Sequence, residues 1–157
     1  MSENITTRQV EDADQPFLLD LFADTANEGL QLPRALIEMQ FRAKEMAYRQ
    51  FEESEDRVIL RDGERVGRII VHESADELRL VDIAVRPNEQ GQGVGSHLFV
   101  QLRQRSNATG KPLRLHVSTR NSAAERFYKR HGCSAVGRDE AYIAMEYVPS
   151  LGDMSLD

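Results

Sequence analysis

The chain has 157 residues, 40% hydrophobic and 29% charged, the composition of a globular chain with room for one core. Its net charge of -6 argues against a nucleic-acid partner, because phosphate backbones are met by basic faces. No run of about eighteen apolar residues occurs, so no membrane span is expected. The scattered His72, His97, His116 and His131 offer no metal-ligand spacing.

Met1-Ser2-Glu3-Asn4 lacks a basic region leading into an apolar run, so no secretory leader is expected. A lone cysteine, Cys133, cannot form an internal disulfide and suits a reducing cytoplasm. Residues 4–10 read as a first strand. Asp12 or Asp14 is expected to cap an amphipathic helix carrying Leu18, Leu21 and Phe22. Pro33 fits the first turn of a second helix, whose apolar stripe reads as Leu36, Met39, Ala43, Met46 and Ala47. A hairpin of residues 57–61 and 64–72 turns at Asp62-Gly63, a type I′ dipeptide. A second turn at 74–77 leads into a strand over 78–86. It is apolar on both faces apart from Arg79 and Asp82, hence central, and Pro87 ends it. After a glycine-rich loop comes a helix with Val94, Leu98 and Leu102 at spacing four, then a strand over 113–117. Residues 121–131 read as a helix with Ala124, Phe127, Tyr128 and His131 on one side, stopped by Gly132. Residues 133–148 form two short strands around Asp139-Glu140.

The order β-α-α-β-β-β-α-β-α-β-β puts the chain in the α/β class. It predicts a mixed, mostly antiparallel central sheet of about six to seven strands flanked by four helices. Residues 1–149 are expected to form one domain, and 150–157 a polar, acidic, frayed tail.

The segment Gln90-Gly91-Gln92-Gly93-Val94-Gly95-Ser96 joins a buried strand to a helix. Glycines bring backbone close to a ligand, and a helix start favours anions, so the chemistry points to a pyrophosphate site. A P-loop would need lysine where Ser96 follows Gly95. A dinucleotide fingerprint needs G-x-G-x-x-G and an acidic residue about twenty positions on, and here Leu113-Arg114-Leu115 occupies that neighbourhood. A plain flexible turn has no reason for such regular spacing.

Gln90-x-x-Gly93-x-Gly95 resembles the pyrophosphate loop of the GNAT acetyltransferases, and Asp82-Ile83-Ala84-Val85-Arg86-Pro87 looks like that family's fourth strand and its exit. Asn121-x-x-Ala124-x-x-x-Tyr128-x-x-x-Gly132 is similar to the family's second motif, with Cys133 in place of its phenylalanine. The resemblance covers about residues 78–135. It implies transfer of acetyl from acetyl-CoA directly to an amine in a ternary complex; from the charge, apolar runs and histidine spacing above, no metal, membrane or nucleic acid is expected. Acetyl-CoA would lie against Ile83, Ala84 and Val85, against Gln90, Gly91, Gln92, Gly93, Val94, Gly95 and Ser96, and against Asn121, Ala124 and Tyr128. Many relatives in this fold form homodimers, and no residue here decides for or against one.

Acyl transfer needs a donor for the thioester oxygen, a route for the amine proton and a proton for the leaving thiolate. By the resemblance the first is the backbone amide of Val85, and Tyr128 is the general acid. Asn121 would contact the pantetheine arm, although asparagine also suits a helix N-cap. The family's base positions hold Val81 and Arg79, neither of which can act. Asp82 is the remaining catalytic candidate on that strand. Its parity turns it away from the face of Val85, so it reads as structural, with a partner for its carboxylate. His116 is a second candidate base, and ordered water a third route. Arg126, Lys129 and Arg130 are candidates for the 3′-phosphate or a solvated helix face. Cys133 lacks the surroundings of a nucleophile. Three alternatives stay open: a non-catalytic acyl-CoA sensor, a different acyl group, and a protein N-terminus or lysine as acceptor. The acceptor would be shaped by about residues 22–51 and 137–146, which carry no motif.

Overall fold

The computed structural model describes residues 4–26, 31–51 and 53–150. The strands are β1 Ile5–Gln9, β2 Glu55–Arg61, β3 Glu64–Glu73, β4 Leu78–Val85, β5 Leu113–Ser118, β6 Ser134–Arg138 and β7 Tyr142–Tyr147. The helices are α1 Gln15–Ala26, α2 Arg34–Tyr48, α3 Val94–Thr109 and α4 Ser122–Arg130, with single 3-10 turns at Asp12–Asp14 and Pro87–Glu89. Their order along the chain is the predicted one. The strands belong to a seven-stranded sheet in the order β1-β2-β3-β4-β5-β7-β6. Its β4–β5 pair is parallel, and β1–β2, β2–β3, β5–β7 and β6–β7 are antiparallel. Two compact units can be distinguished, residues 1–72 with 82–94 and residues 73–81 with 95–157.

In the first unit, Asp62 (φ 52°) and Gly63 (φ 85°) both take the left-handed conformation that a type I′ hairpin demands. The hairpin carries a bulge in which Val66 of β3 is the extra residue, facing the step between Ile59 and Leu60. Strand β3 is buried on both faces from Val66 to Val71, and Leu18 and Leu21 of α1 and Ile37 and Phe41 of α2 add to the core. One buried residue of β3 is charged. Arg68 bonds Asp56 (2.9 and 2.7 Å) and Glu45 (2.6 and 3.1 Å), which meets the demand that a buried charge be paired. These carboxylates raise its pKa against the opposing effect of burial.

The stripe read for α2 is not the buried one. Met39 and Met46 are 62% and 66% exposed, and Leu36, Ala43 and Ala47 are exposed too. The inward face carries Ile37 and Phe41 together with Glu45 and Tyr48, whose polar ends are satisfied by Arg68 and Asp82. Two polar residues on the buried side left the outward side the more apolar by composition.

The capping expectation for α1 also needs correction. Asp14 closes the 3-10 turn before the helix. It is fully buried, accepts two 2.8 Å bonds from Arg8 and takes the Glu11 amide at 2.7 Å. The hydrogen-bonded Arg8 guanidinium brings the Asp14 carboxyl down to about 2. The unfolded value is ~3.9, so the folded carboxyl is the stronger acid. Its stabilisation is complete above about pH 4 and is lost as pH falls through about 2. Asp14→Asn is therefore expected to lower unfolding free energy at pH 7 by roughly 2 kcal/mol and to flatten its dependence between those limits. Urea unfolding at a series of pH values measures both.

In the second unit, Leu98, Phe99 and Leu102 of α3, Leu113, Leu115 and Val117 of β5, and Ile143, Met145 and Tyr147 of β7 are buried. The period of two on both strands puts one face of each inward. Strand β6 is exposed along its length and pairs only with β7, which lies between it and β5. Asn107 accepts from the Tyr147 hydroxyl (3.0 Å) and the Ser150 amide (2.7 Å). The rest of the expected tail, 151–157, lies outside the described residues.

Candidate active site

In the first unit the glycine loop grows out of β4. The Arg86 amide bonds the Val66 carbonyl at 2.8 Å, and Pro87 opens the 3-10 turn, since its fixed φ suits a first helical position. The turn is held by an ion pair between Glu89 and Arg61. Gln90 folds back, its side-chain amide donating to the Val85 carbonyl at 3.0 Å. The loop is thus stitched to the strand end whose backbone is the candidate donor. Gly91 (φ 78°) and Gly93 (φ 86°) are exposed, and a Cβ on either would meet nothing within 4 Å. What requires glycine there is the left-handed backbone, and the open space leaves the loop approachable. Gln92 is exposed, and Val94 is buried where α3 begins.

The strand end is packed closely from the side of β3. A Cβ on Gly67 would fall 2.3 Å from the Ala84 carbonyl oxygen and 3.2 Å from Val85 Cα. Only glycine lets the two strands approach like this.

Asp82 is half-buried and accepts a 2.6 Å hydrogen bond from the hydroxyl of Tyr48. That phenol is pushed well above its usual range by burial first and by the Asp82 charge second, so it stays a donor. Its ring lies 5.2 Å from the Arg68 guanidinium. Neither Tyr48 nor Arg68 was found by sequence reasoning. The one available signal was an arginine within the apolar run Val66-Gly67-Arg68-Ile69-Ile70-Val71.

In the second unit, Gly95 and Ser96 continue α3, and a Cβ on Gly95 would touch the Phe127 ring at 3.5 Å, an ordinary contact. Asn121 caps α4, accepting from the Ala124 amide at 3.0 Å. Tyr128 is buried, its ring 5.4 Å from that of Phe99 and 5.3 Å from that of Phe127. Its carbonyl accepts the Cys133 amide at 2.9 Å, past Gly132 at φ 94°. Burial pushes the Cys133 thiol up to about 11, which disqualifies it as a thiolate nucleophile at neutral pH. His116 is exposed, with its ring 6.3 Å from Tyr142. Lys129 is paired with Glu125 at 2.9 Å on an outward face that it shares with exposed Arg126 and Arg130.

Of the proposed site residues, β4 and its loop carry Asp82 to Val94 in the first unit, and α3 and α4 carry Gly95, Ser96, Asn121, Ala124 and Tyr128 in the second. Among the described residues no cluster of three His, Cys, Asp or Glu could hold a metal ion, and no helix is long and apolar enough to cross a membrane.

A family model described as an acetyltransferase (GNAT) domain matches residues 53–132, the stretch from the β2–β3 hairpin to the end of α4. The chain belongs to the GNAT acetyltransferase family. Membership makes acetyl transfer from acetyl-CoA its general activity. No curated protein matches by sequence. Among solved structures, the PaiA N-acetyltransferase from Thermoplasma acidophilum in complex with coenzyme A is similar, with a TM-score of 0.74 and 18% identity over 92% of this chain and 99% of that one. The ribosomal-protein-S18-alanine N-acetyltransferase from Escherichia coli has a TM-score of 0.69 and 23% identity over 94% and 96%. Ard1 from Thermoplasma volcanium has a TM-score of 0.67 and 22% identity over 93% and 98%. At these identities the likeness establishes a shared fold.

Proposed function

We propose that this GNAT domain, spanning residues 1–149 and working in the cytoplasm, moves acetyl from acetyl-CoA directly to an amine in a ternary complex. The observation that carries the reading is the open loop of Gly91 and Gly93 between β4 and α3, with left-handed backbone at both glycines. Its amides suit the pyrophosphate of CoA. In the reaction a carbon–nitrogen bond forms, the carbon–sulfur bond breaks, the nitrogen gives up a proton and the thiolate gains one. The Val85 amide is the donor for the carbonyl oxygen, supported by the packing of Gly67 against the strand end. Tyr128 supplies the thiolate proton. Asn121 caps α4 and takes a second hydrogen bond from the pantetheine arm. Initial rates with both substrates varied test direct transfer: intersecting double-reciprocal lines are expected, and parallel lines would show an acetyl-enzyme instead. Thiol release over a panel of amines, amino acids, peptides and aminoglycosides identifies the acceptor.

Asp82 belongs to the support of this site rather than to the proton transfer. The bond from Tyr48 ties β4 to α2. Asp82→Asn trades a charge-assisted hydrogen bond for a neutral one and is expected to cost about 1 kcal/mol of stability. The rate should stay within about threefold, with the acidic limb of the pH–rate profile retained. Melting temperature and pH–rate profile together decide the matter. Loss of the acidic limb at unchanged stability would make Asp82 the general base.

A further inference from the structure

Helix α2 presents a second apolar stripe to solvent. Leu36, Met39, Ala43 and Met46 recur at steps of three, four and three, which sets them along one side of a helix. They are exposed, while Ile37 and Phe41 on the other side are buried. The charges that α2 itself sets beside this stripe are mainly positive. The exposed ionisable residues of α2 and its C-cap are Arg34, Arg42, Lys44 and Arg49, although the whole chain carries -6. The helix's two acids are engaged, half-buried Glu45 with Arg68 at 2.6 Å and Glu38, its side chain 41% exposed, with Arg34 at 4.0 Å. Arg34 also meets Asp20 at 3.3 Å, and Lys44 lies over the Phe22 ring at 5.9 Å. Arg42 and Arg49 make no ion pair among the described residues. They stand seven residues apart along one flank of the stripe, a rise of about 10 Å.

We propose that this face docks an acidic amphipathic helix of another protein. Leucine and two methionines supply adaptable apolar contact, and Ala43 between them leaves room for a large side chain of the partner. Carboxylates one heptad apart on the partner's flank would meet Arg42 and Arg49. A second copy of this chain fits poorly, because antiparallel packing of α2 on itself about the middle of the stripe brings Arg42 against its symmetry mate. An anionic membrane fits poorly as well. The stripe has no aromatic anchor, and the chain as a whole carries -6.

The chain's methionines provide the test. Met39 and Met46 lie on the face, whereas Met145 is 1% exposed in the core. With methyl-labelled methionine, a synthetic helical peptide bearing a leucine stripe flanked by glutamates is titrated against the full chain. Its counterpart has lysine at each glutamate. The glutamate peptide is expected to shift Met39 and Met46 saturably, to leave Met145 in place, and to bind at least about tenfold tighter than the lysine peptide (about 1.4 kcal/mol). The double variant R42E/R49E should reverse that preference. Several outcomes would overturn the proposal: no shift of Met39 or Met46, equal binding of both peptides, concentration-dependent shifts without peptide, which mark self-association, or shifts with phosphatidylglycerol vesicles in place of the peptide.

Discussion

Tyr128→Phe is expected to lower kcat by about a hundredfold or more, the usual contribution of a positioned general acid. The substitution keeps the ring, and with it the contacts to Phe99 of α3 at 5.4 Å and to its neighbour Phe127 at 5.3 Å. It removes only the hydroxyl, so the fold should be kept and affinity for acetyl-CoA should change little. The loss should fall on kcat and kcat/KM alike, the signature of an interaction made in the transition state. Steady-state kinetics measures it directly. A kcat within about threefold of the unsubstituted enzyme would count decisively against Tyr128 as the proton donor.

Gly67→Ala is expected to be the most damaging single-methyl addition in the first unit. The new Cβ would sit 2.3 Å from the Ala84 carbonyl oxygen, 3.1 Å from Ile59 Cδ1 and 3.2 Å from Val85 Cα. Two of those atoms are backbone, so relief requires β3 and the end of β4 to separate. Overpacking of this kind costs about 3 kcal/mol, which for a domain of this size lowers the melting temperature by roughly 6–12 °C. Displacing Val85 moves the proposed carbonyl donor, so kcat of the folded fraction should also fall. Gly137→Ala is the control. Its Cβ meets only Ala144 Cβ at 3.7 Å on an exposed edge strand, and its melting temperature should stay within about 3 °C. Equal effects of the two substitutions would contradict the packing argument.

The order of elements was legible because punctuation in this chain is strong. Asp62-Gly63, Pro87, the glycine loop and Gly132 each fall at an element boundary. Of the two roles open for Asn121, the cap is present, with the Ala124 amide at 3.0 Å, and the contact to the pantetheine arm is part of the proposal. What sequence periodicity could not deliver was the inward side of α2. A helix whose buried face contains Glu45 and Tyr48 reads backwards unless Arg68 and Asp82 are known to wait beneath it. Arg68 escaped notice because nothing along the chain announces that Asp56, twelve residues before it, and Glu45, further back on α2, converge on it. Asp82 was correctly expected to have a partner, but a phenol from α2 is invisible to strand parity. The placement of β7 between β5 and β6 is equally invisible to pattern, since two strands of similar length around Asp139-Glu140 are interchangeable by sequence. The acceptor was illegible for a different reason: its expected walls, about residues 22–51 and 137–146, carry no motif.

The central claim is that the glycine loop holds the pyrophosphate of acetyl-CoA, and calorimetric titration of acetyl-CoA into the Gly93→Val variant tests it most directly. Gly93 sits at φ 86°, which valine adopts only with strain, and the space around it is open, so the substitution deforms the loop without crowding a core. Affinity is expected to fall at least about tenfold, with the melting temperature within about 4 °C of the unsubstituted protein. Unchanged affinity in a folded Gly93→Val variant would contradict the account.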